Sequence, residues 1–230
     1  MQKENSSNLL IRNISELWTP EGLKAMAGPS MAQVRKIRDA CIYIDKGQIS
    51  WVGKESEFVA SGSPLAHKAL EGPTYDAQGH GCVPGFVDSH THFVFAGWRE
   101  DEFYQRAKGT AYMEIHKHGG GIQKSVNATR EASLEELIHI GEGRLNTMLS
   151  LGITTVEGKS GYGLDIETEI RQLLAMRALS ERREGPEIVP TFLGAHSIPP
   201  EFKGRPREFL AFLVEKALPR VKKDNLAHFV

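Results

Sequence analysis

The chain has 230 residues, of which 40% are hydrophobic and 25% are charged, as in an ordinary globular protein. Its formal net charge of -1 gives no general electrostatic reason to expect a nucleic-acid partner or an anionic membrane surface. No apolar run approaches the roughly 20 residues that span a bilayer, and the N-terminal MQKENSSNLL lacks the long apolar core of a secretory signal. Cys41 and Cys82 could form one disulfide but make no disulfide framework. We therefore expect a soluble, cytoplasmic protein.

Residues 1–82 read as a small β-rich domain. LLIRN predicts a first strand, and residues 17–38 form a less regular stretch that contains glycine and proline. The segment CIYIDKGQISWVG predicts a β-hairpin, because two apolar runs flank the turn residues Asp45, Lys46 and Gly47. We expect a β-sandwich-like N-terminal domain.

From residue 83 onward, strands alternate with helices. GFVDSHT predicts a buried strand, and residues 133–150 predict a helix that begins with the capping box Ser133 and Glu136. ITTVEGKS predicts the next strand, and Asp165 caps a second helix. EIVPTFLGAH predicts a third strand that ends at His196.

A further helix is predicted from about Pro206 to Val221, with its last turn interrupted by Pro219, and the final AHFV predicts the start of a fourth strand. Strand–helix alternation with right-handed crossovers implies a parallel sheet. A doubly wound sheet and a (β/α) barrel both fit this pattern.

His90 and His92 end the strand GFVDSHT with one residue between them. Because side chains alternate in a strand, both imidazoles point to the same face. Neutral imidazoles at the end of a buried strand need partners, and a metal ion is a common one. Asp88 lies on the same face and could orient an imidazole. A His-x-His pair can also be a surface or core feature, but its place after an apolar strand favours the metal site.

Other reactive side chains also fall after predicted strands, where parallel sheets bind their ligands. KSGYG, with Lys159 and Tyr162, ends the second strand, and His196 ends the third. Arg99 follows the histidine pair and could clamp a carboxylate. The alternatives stay open: Arg99 could form a solvated salt bridge with its acidic neighbours, Tyr162 could be a packed turn residue, and His196 could be a core histidine.

Several motifs together resemble a known family. DAQGHGCVPGFVDSHTH resembles the amidohydrolase signature, in which a β-sandwich strand leads into the first barrel strand and its His-x-His pair. HFVFAGWREDEFYQRAKGTAYMEIHKHGGGI, TTVEGKSGYGLDIETE and TFLGAHSIPPEFKGR resemble the imidazolonepropionase family of histidine degradation. The resemblance implies a (β/α)₈ TIM barrel, whose first part would be residues 83–230.

The resemblance also implies an activity and a set of roles. The family hydrolyses the cyclic amide bond of 4-imidazolone-5-propanoate and releases N-formimidoyl-L-glutamate. His90 and His92 would hold one Zn²⁺ or Fe ion, and the sequence does not choose between these metals. Arg99 would bind the substrate propionate with Tyr162 nearby, and His196 would contact the ring as a catalytic residue. Family members are often homodimers.

The chain departs from the family in length and at one residue of a strand. A complete (β/α)₈ barrel needs about 250 residues, so we expect a piece of a longer protein, or the product of an interrupted gene, that lacks the later metal ligands and the proton-moving acid. Gly158 stands where relatives tend to carry a larger residue, and we expect it to loosen its strand. Two alternatives remain: an inactive fragment, or an amidohydrolase that acts as a deaminase or as an amidase on another cyclic substrate.

Overall fold

The computed structural model describes residues 8–22, 24–111, 114, 120–182 and 185–230. The chain divides into two compact units, with the boundary between Pro84 and Gly85. None of the helices within the described ranges is long and apolar enough to cross a membrane.

The first unit is built on one four-stranded sheet with the order β3-β2-β1-β4. Its strands are β1 (Leu9–Pro20), β2 (Val34–Asp45), β3 (Gln48–Lys54) and β4 (Thr74–Asp76). Strands β1, β2 and β3 pair antiparallel, whereas β4 runs parallel to β1. The predicted hairpin is confirmed: Lys46 and Gly47 join β2 to β3 with φ of 53° and 77°, as a type I′ turn requires.

Two features of the first unit differ from the prediction. The stretch 17–38 is more regular than expected, because the pairing of β1 with β2 continues to Pro20 and Val34. Two short helices, α1 (Glu55–Ala60) and α2 (Pro64–Glu71), cover the sheet and bury Phe58 in its core, where the sequence predicted a β-sandwich-like arrangement.

The second unit confirms the predicted alternation of parallel strands and helices. Strands β5 (Phe86–Thr91), β6 (Ile153–Lys159) and β7 (Glu187–Thr191) pair in chain order and all run parallel. Phe229 makes one further parallel bridge to Thr191, which confirms the predicted start of a fourth strand. The helices are α3 (Glu100–Ala107), α4 (Ile122–Glu131), α5 (Leu134–Ser150), α6 (Ile166–Glu181), α7 (Pro206–Phe212) and α8 (Leu218–Lys223).

The helix boundaries follow from capping residues that the sequence shows. Ser133 and Glu136 form the predicted capping box of α5, each side chain accepting a backbone N–H of the other. Asp165 caps α6 by accepting the N–H of Thr168 at 2.9 Å. A π-helical turn, Leu213–Ala217, joins α7 to α8, so that the helical run passes Pro219 without a break.

The core of the second unit lies between the sheet and its helices. Val156 and Gly158 point into this core, and a Cβ atom on Gly158 would lie 2.7 Å from Cε1 of Phe93 and 3.0 Å from Sδ of Met176. The Phe93 ring therefore fills the space beside Gly158 and leaves no room for a larger side chain, while the expectation that glycine loosens the strand stays a prediction. By strand alternation, Glu157 and Lys159 point to the opposite face.

Candidate active site

Three aromatic rings meet beyond the carboxyl ends of the parallel strands. The ring centroid of His92 lies 5.0 Å from that of Tyr162 and 4.8 Å from that of His196, and the Tyr162 and His196 centroids lie 5.8 Å apart. These residues follow β5, β6 and β7 in turn, so adjacent parallel strands deliver them to one edge of the sheet. We call this group the three-ring cluster.

His92 is the buried centre of this cluster. Both of its ring nitrogens are inaccessible to solvent, and neither has a hydrogen-bond partner. Burial, together with the positive potential of His196, His90 and Lys159, lowers the pKa of His92 to about 4. The ring is therefore neutral at pH 7 and offers an unshared lone pair, as a metal ligand requires.

His90 lies within β5, of which no residue is buried, so the prediction of a buried strand is wrong, and His90 itself is exposed to solvent. It is close enough to lower the pKa of both His92 and His196 electrostatically. Asp88 was considered as a partner for an imidazole, but its carboxylate accepts the backbone N–H of His90 at 3.1 Å and so fixes the strand end. In the described ranges, no three His, Cys, Asp or Glu side chains form a group that could hold a metal ion.

His196 is placed differently from the sequence prediction. Strand β7 ends at Thr191, and His196 lies in the following loop, in a turn where its N–H donates to the carbonyl oxygen of Leu193 at 3.0 Å. The prediction of a strand that continues to His196 is wrong, but the loop still returns the imidazole to His92. Burial, and then the neighbouring His90, lower the pKa of His196.

Tyr162 forms a wall of the cluster. Its ring stacks on Phe95 with a centroid distance of 4.7 Å and an interplanar angle of 19°. The pattern of residues had not singled out Phe95, which lies in the loop after β5. The alternative that Tyr162 is a packed turn residue is thus partly correct, since its ring is packed, but the packing directs it toward His92.

Arg99 is the N-cap residue of α3 and pairs with Glu102, whose carboxylate lies 3.9 Å from the guanidinium. Glu102 is buried and also accepts the N–H of Gly121 at 2.7 Å, so the partner of Arg99 is fixed. The adjacent Trp98 contacts Phe95 at a ring-centroid distance of 6.2 Å, and Phe95 in turn contacts Tyr162. Within the part of the chain that the structure describes, these aromatic contacts reach Trp98, whereas the guanidinium of Arg99 pairs with Glu102 and makes no hydrogen bond or ion pair with the three-ring cluster.

An ion pair lies on the same face of the sheet as the strand-end residues. Nζ of Lys159 is 2.5 Å from the Glu157 carboxylate, which also accepts the hydroxyl of Thr191 at 2.7 Å. The hydrogen bond from Lys159 contributes most to lowering the pKa of Glu157. Strand alternation could have predicted this pair, since Glu157 and Lys159 are two residues apart in β6.

Comparison with solved structures identifies the class of fold. The chain resembles E. coli guanine deaminase, with a TM-score of 0.53 and 13% identity over 91% of this chain and 42% of that chain. A metal-dependent hydrolase from Pyrococcus furiosus gives a TM-score of 0.51 and 14% identity over 88% of this chain and 52% of that chain. The chain has the α/β fold of these hydrolytic enzymes.

Comparison with curated proteins identifies the relatives more narrowly. The chain is 47% identical over 226 residues to an imidazolonepropionase of Bacteroides fragilis and 40% identical over 222 residues to one of Clostridium tetani. These matches cover 97% and 96% of this chain but 52% of each relative. The chain thus spans about half the length of the curated relatives it matches, and the predicted resemblance to imidazolonepropionases is confirmed. No protein-family model matches the chain.

Proposed function

We propose that this chain carries part of the active site of a metal-dependent hydrolase that opens the cyclic amide of 4-imidazolone-5-propanoate, yielding N-formimidoyl-L-glutamate in histidine degradation. One observation carries the proposal: identity of 40–47% to imidazolonepropionases extends over almost the whole chain. The geometry agrees, because the matched segments supply a neutral, buried histidine beside a second imidazole and a tyrosine.

His90 and His92 would hold the divalent metal ion. The two unpartnered ring nitrogens of His92 and its lowered pKa support this role, and the similar Pyrococcus furiosus protein is a metal-dependent hydrolase. When bound, such an ion activates a water molecule for attack on the ring carbonyl at neutral pH. Histidine ligands suit both zinc and iron, so the proposal covers either metal.

Three other side chains would handle the substrate. The pKa of His196 is lowered, which favours the neutral imidazole, so as a catalytic residue it could donate a hydrogen bond to the ring or accept a proton from it. Tyr162 would flank the ring, since it lies beside both histidines. Arg99 would bind the propionate carboxylate in two hydrogen bonds, and so position the ring through a group that does not react. The Glu102 partner must then give way to the substrate carboxylate or share the guanidinium with it.

The remaining parts of the site would come from the rest of a (β/α)₈ barrel, of which residues 83–230 form the first part. Phe86 and Val87, on the outer strand β5, are 57% and 66% exposed, and Phe229 and Val230, at the opposite edge of the sheet, are 59% and 79% exposed. Large exposed apolar side chains at both edges are typical of a surface that another element covers. The relatives, at twice the length, have chain enough to cover both edges and to supply more metal ligands.

The proposal extends to the setting of the enzyme. A small polar substrate and two unpaired cysteines fit a cytoplasmic metabolic enzyme without a nucleic-acid or membrane partner. The proposal includes assembly as a homodimer, and the resemblance to the family is the only support for that part.

The test is hydrolysis of 4-imidazolone-5-propanoate by the protein as its native gene encodes it, followed through the loss of the ring's ultraviolet absorbance. We expect turnover that a chelator abolishes and that zinc or iron restores. Arg99→Ala should raise KM strongly, because it removes the carboxylate clamp, whereas Arg106→Ala, on the same helix, should leave KM unchanged.

Two results would redirect the proposal. If the protein hydrolyses guanine or another cyclic amide and not imidazolone propionate, then the fold is right and the substrate is wrong. An equal KM in Arg99→Ala and in the unmodified enzyme would remove Arg99 from the site.

A further inference from the structure

A buried carboxylate beneath the three-ring cluster has no role in the chemistry described above. Glu169 lies in the first turn of α6, and its side chain is completely buried. A buried carboxylate is costly unless hydrogen bonds replace its lost hydration. The hydrogen-bond partners of Glu169 therefore indicate its structural role.

Every partner of the Glu169 carboxylate is a donor from the loop that follows β6. One carboxylate oxygen accepts the N–H of Gly161 at 2.8 Å, and the other accepts those of Gly163 at 2.8 Å and Leu164 at 2.9 Å. The Ser160 hydroxyl lies close enough to favour the ionised carboxylate and so to lower its pKa. Burial raises the pKa of Glu169, while these hydrogen bonds oppose that shift. A ring of donors matches the ionised form.

The residue beside the carboxylate also holds the loop that carries His196. The Ser160 hydroxyl, which is near Glu169, accepts the backbone N–H of Leu193 at 2.9 Å. Leu193 in turn provides the carbonyl oxygen that receives the N–H of His196. Glu169 is therefore hydrogen-bonded to the Tyr162 loop, and the neighbouring Ser160 hydroxyl is hydrogen-bonded to the His196 loop.

The two loops touch at a position where no side chain fits. A Cβ atom on Gly161 would lie 2.8 Å from Cβ of His196 and 2.9 Å from the carbonyl oxygen of Leu193, and the φ of Gly161 is +112°. Winding the loop around the carboxylate brings the Gly161 backbone against His196. Tyr162, the next residue, then contacts both His92 and His196.

We propose that Glu169 is a positioning residue of the active site: its buried carboxylate fixes the loops after β6 and β7 and so sets the places of Tyr162 and His196 against His92. The functional consequence rests on the proposed hydrolase activity, whereas the positioning itself does not. Gln172, one turn further along α6, adds to the arrangement by accepting the N–H of Tyr162 at 3.3 Å.

The experiment compares Glu169→Gln with a matched control, Leu173→Ala, in the full natural chain. Leu173 is equally buried on the same helix but packs in the hydrophobic core. Hydrogen exchange followed by mass spectrometry reports the amides of residues 160–164 and 192–196. Glu169→Gln places an amide group among donors, so we expect these two segments to exchange roughly tenfold to hundredfold faster relative to the rest of the unit. In Leu173→Ala, we expect faster exchange across the whole unit without selective loss at these loops.

Kinetics give the second measurement. In an active enzyme, Glu169→Gln should lower kcat/KM at least tenfold, whereas Leu173→Ala should retain near-normal kcat/KM below its unfolding temperature. Inactivity of the unmodified protein toward imidazolone propionate would overturn the proposed function and leave the exchange test of Glu169 intact. Loop exchange in Glu169→Gln that matches the unmodified chain, or that rises only as much as in Leu173→Ala, would overturn the positioning role.

A smaller substitution keeps the test decisive if Glu169→Gln does not fold. Ser160→Ala removes only the hydroxyl that lies near Glu169 and accepts the N–H of Leu193. We expect faster exchange in residues 192–196 with unchanged protection of Gly163 and Leu164. Unchanged protection of residues 192–196 in this variant would contradict the proposed link to the His196 loop.

Discussion

Substituting Gly158 tests how tightly the strand that leads into the site is packed. In Gly158→Ala, the new methyl group would lie 2.7 Å from Cε1 of Phe93, 3.0 Å from Sδ of Met176 and 3.4 Å from Cγ2 of Ile188. The Phe93 ring is fully buried and has little room to withdraw. The substitution therefore forces extra volume into a filled core next to His92.

Two effects of opposite sign decide the outcome. Replacing a glycine in a strand lowers the entropy of the unfolded chain and favours folding by roughly 0.5–1 kcal/mol. Overpacking a filled core costs about 1–3 kcal/mol. The contacts below 3.4 Å make the second effect the larger one, so we expect Gly158→Ala to lower the free energy of unfolding by about 0.5–2 kcal/mol.

Urea denaturation of the substituted and unmodified chains measures this difference. Gly143→Ala is the matched control, because Gly143 lies on the exposed face of α5 with nothing within 4 Å of its would-be Cβ; it should stabilise the chain by roughly 0.5–1 kcal/mol. In a Phe93→Leu background, Gly158→Ala should cost less than in the unmodified chain, because the ring that it meets is gone. The steric explanation is refuted if Gly158→Ala is as stable as Gly143→Ala, or if its cost is the same in both backgrounds.

Three further predictions concern pH, capping and metal. With a chelator present, the free energy of unfolding should fall by about 2–3 kcal/mol as the pH drops from about 6.5 to about 4. The reason is that His92 has a lower pKa in the folded chain than in the unfolded chain, so the unfolded chain takes up the proton at a higher pH. An equally steep fall in His92→Asn would exclude this cause. Ser133→Ala should cost about 1 kcal/mol in urea denaturation, since it removes the N-cap of α5, and no loss would mean that solvent replaces the cap. Residues 1–230 expressed alone should bind Zn²⁺ weakly and hydrolyse nothing, because catalytic zinc sites usually use three protein ligands; stoichiometric zinc that survives dialysis would show that the third ligand lies within this stretch.

The parts of the fold that the sequence predicted correctly are those with a strong local signal. The α5 capping box, the Asp165 cap and the Lys46–Gly47 turn each fix a boundary through backbone hydrogen bonds of neighbouring residues. The misplaced parts depend on distant contacts. Residues 17–20 and 34–38 extend β1 and β2 because they pair with each other. This pairing continues beyond a register shift between Ile11 and Ile14, which no local sequence pattern predicts.

The candidate site shows the same division. Strand alternation and strand ends indicated His90, His92, Tyr162 and His196, since they depend only on the period of a strand and the direction of a parallel sheet. The roles of these residues came from the family resemblance. Glu169 is the last residue of the motif TTVEGKSGYGLDIETE. Its proposed role depends on a loop that folds back over the first turn of α6, and residue spacing alone does not predict such a contact.

Two of the three loops that form the cluster, those after β5 and β6, are held by helices that follow them in the chain. The guanidinium of Arg144, on α5, donates to the carbonyl oxygens of Phe93 and Phe95 at 3.0 and 2.9 Å and stacks 3.9 Å from the centre of the Phe95 ring. Glu169, on α6, accepts the N–H groups of the loop that follows β6.

In each case, a charged side chain of a helix is matched to the free backbone groups of the preceding loop: a cation where carbonyl oxygens converge, and an anion where N–H groups converge. Gln172 joins the two loops, because its amide group donates to the carbonyl oxygen of Val94 at 2.6 Å and its oxygen accepts the N–H of Tyr162. The contact of Phe95 with Tyr162, and so the wall beside His92, therefore depends on side chains that touch no substrate. Variation at Arg144, Glu169 or Gln172 should alter activity without altering a proposed ligand or substrate contact.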